Sequence, residues 1–365
     1  MATSSFAFFS LYSTTKCSSL RENDPNNNKS SVRVNGTSIH ELSNFSIRTS
    51  PAYTSVASVI EDLMVEKNRQ NIPTEKRMVD PFRQGLIVEG GVGYRQTITV
   101  RSYEIGPDKT ATLETLFNLL QETALNHVWM SGLLGDGFGA THGMIKNNLI
   151  WVVTRMHVQI DEYPIWGEVV EIETWVGSSG KNGMRRDWLI RSHLSGHVFA
   201  RATSTWVMMN QETRRLSKMP QEVRDEISPW YIEKQAIIED VPEKIIKLDN
   251  KAKYVDSNLK PKRSDMDMNN HVNNVKYVKW MLETIPVSFL EEHQLGSIIL
   301  EYRRECGSSD IVESICEPDE EQDDDDDSKE WPKRFTHLLQ NKGEEKNEEI
   351  VRGRTTWNKK LPTCP

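Results

Sequence analysis

The stretch SDMDMNNHVNNVKYVKW, residues 264–280, carries the densest polar chemistry of the chain and changes its periodicity halfway. Up to about Asn269 the residues alternate, which places Asp265, Asp267 and Asn269 on one side of an extended segment. From Asn270 onward, apolar residues recur every three to four positions, a spacing typical of a buried helix. We therefore predict a helix that begins here, with Asn269 or Asn270 as its N-cap. The apolar positions are Val272, Val275, Val278, Met281 and Leu282.

Three side chains capable of chemistry meet at this predicted helix start: the carboxylate of Asp267, the amide of Asn269 and the imidazole of His271. Unpaired N–H groups and the helix dipole favour negative charge that develops there during a reaction. The alternative interpretation is structural, because Asx-rich turns often cap helices and a nearby histidine often serves packing. The stretch by itself leaves both interpretations open.

A second stretch, LEYRREC at residues 300–306, predicts a strand whose polar load is heavy for an ordinary sheet face. Its structural interpretation is a solvated strand held by ion pairs, with Cys306 as a small core residue. Because the side chains of a strand alternate between its faces, Glu305 and Cys306 would point in opposite directions. Only one of them can then face His271, unless a bulge intervenes.

Together the two stretches indicate thioester chemistry in one of two forms. In the first, Cys306 is the nucleophile, His271 is the base that ionises it and Asn269 orients the imidazole. In the second, Glu305 or Asp267 activates a water molecule. Asn269, His271 and backbone N–H groups would then hold the substrate carbonyl. The sequence does not decide between these forms.

Composition excludes several classes of protein. The chain has 365 residues and a net charge of −8, and this lack of basic excess argues against a nucleic-acid partner. No apolar run approaches 18 residues, so we predict no integral membrane span. The four cysteines are scattered, without the spacing of a disulfide framework or a zinc site, and we expect no metal or other cofactor.

The first fifty residues differ from the rest because they are crowded with serine and threonine and poor in acids. Their one apolar patch, FAFF at residues 6–9, is too short for the hydrophobic region of a secretory signal. This composition is typical of a plastid transit peptide, and the alternative is a generic disordered N-terminus.

The middle of the chain predicts one long helix followed by four strands. Residues 110–130 carry a continuous apolar stripe, and Gly132 stands where a glycine commonly ends a helix. On this helix we expect His127 to be a packed core residue. Residues 149–159, 167–176, 185–194 and 197–209 are predicted strands. One helix followed by consecutive strands predicts an α+β fold with an antiparallel sheet.

The second half repeats this order at an offset of roughly 140 to 150 residues. A turn and helix at 267–285 precede predicted strands at 297–306, 311–315, 334–340 and 350–357. A sheet wrapped round one long helix, occurring twice, is a tandem hotdog fold. The corresponding segments are VVE at 169–171 with IVE at 311–313, RATSTW at 201–206 with RGRTTW at 352–357, and NH at 126–127 with NH at 270–271.

The same patterns predict a domain organisation. We expect a transit peptide at 1–55, a linker at 56–93, an N-terminal hotdog at 94–215, a connector at 216–250 and a C-terminal hotdog at 251–365. A run of acidic residues within 317–330 is expected to form a loop without a catalytic role.

A local basic excess stands out in this acidic chain. Its functional interpretation is a docking surface for an acidic protein or a phosphate-bearing carrier, and its alternative is a contribution to solubility. The residues are Lys181, Arg185, Arg186, Arg214, Arg215 and Lys218.

These motifs resemble those of the plant acyl-acyl-carrier-protein (acyl-ACP) thioesterases, over roughly residues 78–316. Several of the matching segments are similar to those of the FatB-like branch of this family, which acts mainly on saturated acyl chains. The matching segments are QETALNH at 121–127, LLGDGFG at 133–139, NLIWVVTRM at 148–156, GMRRDW at 183–188, DMNNHVNNVKY at 267–277 and LEYRRECG at 300–307. A charged segment at 56–70 and the acidic run after Cys316 depart from the family pattern.

The resemblance implies a tandem hotdog enzyme of the plastid stroma that hydrolyses mainly saturated acyl-ACP to free fatty acid and carrier protein. Its partner would be ACP bearing a phosphopantetheine-linked acyl chain, with the chain in the N-terminal hotdog. The implied catalytic residues are Asn269, His271 and Cys306, with Asp267 and Glu305 in the carboxylate form. Two alternative functions stay open: a hotdog hydratase or dehydratase acting on acyl thioesters, and an inactive carrier-binding relative. The chain is also a possible homodimer.

Overall fold

The computed structural model describes residues 79–80, 85–136, 139–238, 244–249, 251–267, 271–319, 333–343 and 347–360. The predicted transit peptide at 1–55, the acidic residues 320–330 and the candidate Asn269 lie outside these residues. The described residues belong to one compact unit.

Helix α1, Leu113–Met130, is the central element of the first half. It begins after Thr112, whose side chain accepts a hydrogen bond from the backbone N–H of Thr115. The prediction started the helix at Thr110, but Thr110 instead forms a β-bridge with Ile165, which holds it in an extended conformation. The helix buries its apolar stripe, including Leu116 and Leu120, against the sheet.

The sheet that wraps α1 is antiparallel, as predicted. In the part of the chain that the structure describes, its order is β1-β2-β3-β7-β8-β9-β6-β12-β15-β14-β13-β11, with β10 paired to β9. The strands of the first half are β1 (Val79–Asp80), β2 (Gly85–Val88), β3 (Gly93–Thr99), β6 (Leu149–Ile160), β7 (Val169–Ser179), β8 (Gly183–Ser192), β9 (Val198–Asn210) and β10 (Leu216–Ser217). Short elements complete this half: β4 (Leu134–Asp136), β5 (Ala140–Thr141), α2 (His142–Lys146) and α3 (Gln221–Ile227).

The second half repeats the arrangement with a shorter helix, α4 (Asn274–Glu283), followed by α5 (Val287–Glu292). Its strands are β11 (Tyr254–Leu259), β12 (His293–Tyr302), β13 (Val312–Pro318), β14 (Lys333–Asn341) and β15 (Glu348–Lys359). Strand β12 pairs with β6 from Ser297 opposite Gln159 to Glu301 opposite Arg155, so the two halves share one continuous sheet. The α+β tandem hotdog fold is therefore confirmed.

Two local predictions in the second half are wrong. Helix α4 begins at Asn274, with Asn273 rather than Asn269 or Asn270 as its N-cap, because Val272 is held extended in a β-bridge to Met266. Strand β12 ends at Tyr302, so residues 303–307 lie beyond the strand, whereas the prediction extended it to Cys306. Both corrections concern the segments that carry the candidate chemistry.

A single apolar cluster joins the two halves. Buried residues of α1, of α4 and of the inner sheet face pack together, with Leu116, Val278 and Ile298 almost completely shielded from solvent. Burial of such side chains is the main source of stability in a fold of this kind. Among the described residues, no helix has the length and apolar character needed to cross a membrane.

Candidate active site

The two predicted polar stretches lie side by side in the structure. The backbone N–H of Val272, just before α4, donates a hydrogen bond of 3.0 Å to the carbonyl oxygen of Cys306, just beyond β12. This bond fixes the approach to α4 against the segment 303–307. Residues far apart in sequence thereby meet at one place.

Asp267 and His271 close a tight turn through two hydrogen bonds. The backbone N–H of Asp267 donates to the carbonyl oxygen of His271 at 2.8 Å. In return the backbone N–H of His271 donates to Oδ1 of Asp267 at 3.1 Å. The Asp267 carboxylate therefore holds the backbone that carries the imidazole. The third candidate of the sequence stretch, Asn269, lies outside the described residues.

The imidazole of His271 faces the carboxylate of Glu305. Nε2 of His271 lies 3.7 Å from Oε2 of Glu305. The same Oε2 forms an ion pair with the guanidinium of Arg214, which comes from the turn between β9 and β10. The three side chains are between 37 and 39% exposed, so solvent reaches all of them.

Cys306 points into the core instead. Its side chain is fully buried in the main apolar cluster, and its backbone N–H donates to the Tyr277 hydroxyl at 3.0 Å. Burial, together with the nearby carboxylate of Asp310, raises the pKa of the Cys306 thiol to about 12. Thiolates act as nucleophiles and thiols scarcely do, so this environment suppresses the reactivity of Cys306.

A cavity of about 1030 Å³ opens beside Glu305 and His271 and extends into the first half of the molecule. Its walls come mainly from α1, β6, β8 and the start of α4, and they are largely apolar. Pockets of this size and character bind small apolar ligands with a few polar groups that fix orientation. Lining residues include Asp267 beside His271 and the apolar side chains of Phe117, Leu120, Met156 and Trp188.

Arg186 is a buried cation on the cavity wall. Its Nη1 lies 3.0 Å from Nδ1 of His127 and 3.2 Å from Oγ1 of Thr174. Burial lowers the pKa of Arg186 to about 10. The prediction of a buried His127 is confirmed, while the assignment of Arg186 to a docking surface is wrong because the side chain is only 5% exposed.

Arg185 is not available for a docking surface either. Its Nε lies 2.7 Å from Oδ2 of the buried Asp187, and its Nη2 donates a hydrogen bond to the carbonyl oxygen of Lys234. Lys181, Arg215 and Lys218 remain exposed. The contact between Arg214 and Glu305 was not foreseen. It joins residues 91 positions apart, and no local pattern in either segment signals it.

Two family models match the chain in sequence order. The acyl-ACP thioesterase N-terminal domain matches residues 91–227, and the acyl-ACP thioesterase C-terminal domain matches residues 248–359. The first includes Arg214, and the second includes His271 and Glu305.

Similar proteins carry the same family name. The chain is 51% identical to the chloroplastic palmitoyl-acyl carrier protein thioesterase of Arabidopsis thaliana over 292 residues, 78% of this chain and 69% of the relative. It is 46% identical over 272 residues to the chloroplastic dodecanoyl-[acyl-carrier-protein] hydrolase of Cinnamomum camphora, 74% of this chain and 69% of the relative.

Solved structures agree with this assignment. The 12:0-ACP thioesterase from Umbellularia californica superimposes with a TM-score of 0.68 at 44% identity, over 74% of this chain and 95% of that chain. A putative oleoyl thioesterase from Lactobacillus plantarum, at 24% identity and a TM-score of 0.61, shares the fold over 74% of this chain and 97% of its own. The chain belongs to the acyl-ACP thioesterase family.

Proposed function

We propose that this protein hydrolyses the thioester of acyl chains carried on ACP and releases a free fatty acid and ACP in the plastid stroma. Family membership and the chloroplastic relatives support the reaction and the compartment. The observation that carries the proposal is the His271–Glu305 pair, 3.7 Å apart on the wall of a largely apolar cavity. The cavity can hold an acyl chain. The His271–Glu305 pair can then act on the thioester carbonyl at the end of that chain.

In the proposed reaction Glu305 acts as the general base. It takes a proton from a water molecule, whose oxygen forms a bond to the carbonyl carbon of the thioester. The tetrahedral intermediate then collapses, the C–S bond breaks and the leaving sulfur takes up the proton that Glu305 removed from water, which yields the acid, the free thiol of the carrier and the regenerated carboxylate. His271 is assigned to the oxyanion, and Asp267 holds the backbone that carries the imidazole through the His271 amide.

The alternative with Cys306 as nucleophile has less support. At pH 8 a thiol with a pKa of about 12 is ionised in only about one molecule in ten thousand. The cavity lining among the described residues includes Glu305 and His271 and leaves out Cys306. A buried thiol would have to move before it could reach a substrate carbonyl.

A preference for saturated chains is the finer part of the proposal. It rests on the names of relatives such as the palmitoyl and dodecanoyl enzymes, at 51 and 46% identity. An oleoyl enzyme of Arabidopsis thaliana is 45% identical to this chain. Sequence identity alone therefore hardly distinguishes relatives named for saturated acyl chains from one named for an unsaturated chain. Profiling the acids released from a mixture of saturated and monounsaturated acyl-ACPs tests the preference directly.

The experiment that tests the reaction replaces Glu305 by Gln in the full chain and measures single-turnover hydrolysis of acyl-ACP. General base catalysis is worth about 10²–10⁴ in rate, so a loss of that size is expected. Glu283→Gln is a matched control, because Glu283 is an exposed glutamate that pairs with a lysine on α4. Turnover by the wild-type chain without release of free acid would refute hydrolysis. Near-normal turnover by Glu305→Gln would refute only the role of this residue.

A further inference from the structure

Arg214 connects the N-terminal half of the molecule to the carboxylate of the proposed base. Its guanidinium forms an ion pair with Oε2 of Glu305, the same oxygen that lies 3.7 Å from Nε2 of His271. Arg214 also lines the cavity beside these two residues. A cation and an imidazole therefore approach one carboxylate oxygen from different elements.

The backbone at Arg214 is unusual for an arginine. Its φ is +54°, in the left-handed region where glycine is the ordinary residue. The turn that imposes this conformation is well braced, since Oδ1 of Asn210 accepts from the amides of Glu212 and Thr213, and the Arg214 amide donates to the carbonyl of Asn210. The turn therefore carries a long cationic side chain at a position where glycine would be unstrained.

The segment that carries Glu305 needs such a partner. Residues 303–307 lie beyond the end of β12, so the ladder of the sheet does not direct the Glu305 side chain. The neighbouring cations of this segment have other partners, because Arg303 pairs with Glu301 and Arg304 with Glu348. Arg214, from the turn between β9 and β10, forms the ion pair with Glu305.

We propose that Arg214 is a positioning residue that holds the Glu305 carboxylate in its productive orientation. The inference rests on the proposed role of Glu305 as general base. By holding Oε2, Arg214 restricts rotation of the carboxylate and directs Oε1 toward the attacking water. A half-exposed ion pair adds little stability, so orientation rather than folding is the expected benefit. Misplacement of a reacting group by about 1 Å can cost about a hundredfold in rate.

Three substitutions of Arg214 separate orientation from folding. In Arg214→Gly the backbone keeps its left-handed conformation without strain, so the melting temperature stays equal or rises. The same variant, and Arg214→Gln, should lose about 10- to 100-fold in kcat at saturating acyl-ACP, with KM changed less than threefold. Arg214→Lys keeps a cation and should restore part of the rate. Arg201→Gln is the matched control, since Arg201 lies on β9 and pairs with the surface residue Asp161.

A double-mutant cycle with Glu305→Gln makes the test specific. Without a carboxylate to orient, Arg214→Gln should cause no further loss, whereas an independent role would multiply the two losses. A change confined to KM, or equal losses in both backgrounds, would overturn the proposal and indicate that Arg214 contacts the substrate. If Glu305→Gln alone keeps normal turnover, the proposed base fails. If Glu305→Gln loses turnover while Arg214→Gly and Arg214→Gln are as active as wild type, the base is supported and only the positioning role of Arg214 fails.

Discussion

Replacing Cys306 by Ala tests whether the thiol of this chain acts on the substrate or packs the core. Cys306 is fully buried in the main apolar cluster, and the substitution removes one sulfur atom. The backbone of Cys306 makes two hydrogen bonds, with Tyr277 and Val272, and both survive in the variant, while the weak hydrogen bond from the thiol to the Gly307 carbonyl is lost. The expected consequence is a small cavity rather than a broken network.

The magnitude follows from the lost burial. Removing one large buried atom costs about 1–2 kcal/mol of unfolding free energy, from lost transfer energy plus the cavity left behind. For a chain of this size that corresponds to a fall of about 1–3 °C in melting temperature. Cys316→Ala is the matched control, because Cys316 is equally buried, on β13, and burial likewise raises its pKa to about 12. Both variants should show the same loss of stability.

The assay is hydrolysis of acyl-ACP at saturating substrate, corrected for the folded fraction at a temperature well below the melting transition. We expect kcat within about threefold of wild type for both cysteine variants, because less than one thiol in a thousand is ionised at pH 8. Alkylation of native Cys306 by iodoacetamide should be correspondingly slow. A loss of a thousandfold or more in Cys306→Ala, with Cys316→Ala unaffected, would refute this reasoning and restore the nucleophile.

Three other predictions concern pH, the His271 turn and docking. Burial lowers the pKa of His337 to about 3, so below pH 6.5 the unfolded chain binds a proton that the folded chain does not. Between about pH 6 and pH 3, His337 should therefore lower the free energy of unfolding by about 1.4 kcal/mol per pH unit toward acid, and urea titrations of His337→Gln should show a correspondingly flatter pH dependence. Asp267→Asn keeps an oxygen for the His271 amide, so it should retain more kcat than Asp267→Ala in the same assay. Arg215 and Lys218 are exposed and follow Arg214 in the chain. Their replacement by Glu should raise KM for acyl-ACP in low salt. The rise in KM should vanish in high salt if electrostatic steering is the cause.

Periodicity predicted the elements whose environment is uniform along their length. Helix α1 presents an apolar stripe to the sheet, and burial along β8 alternates over most of its ten residues. Buried positions then recur at the period of the helix or strand, and the spacing of apolar residues in the sequence shows the same period. The order of elements and their repetition in the second half followed from the same signal, and so did the α+β hotdog architecture.

Local pattern failed where long-range contacts decide the conformation. Several asparagines precede α4, and each can cap a helix, so only the β-bridge that holds Val272 extended selects Asn273. The end of β12 at Tyr302 depends in the same way on where its pairing with β15 stops. An end of this kind is set by the partner strand, which a local window does not contain.

The sequence by itself determined the fold class, the family and the set of side chains from which a site could be built, because these depend on composition, period and long motifs. Only the tertiary structure decided which of Glu305 and Cys306 faces His271, since the chain leaves the strand before both residues and simple alternation no longer applies. It also brought Arg214 to Glu305 across 91 positions. Contacts of that range arise from the joint packing of both halves, which no short segment encodes.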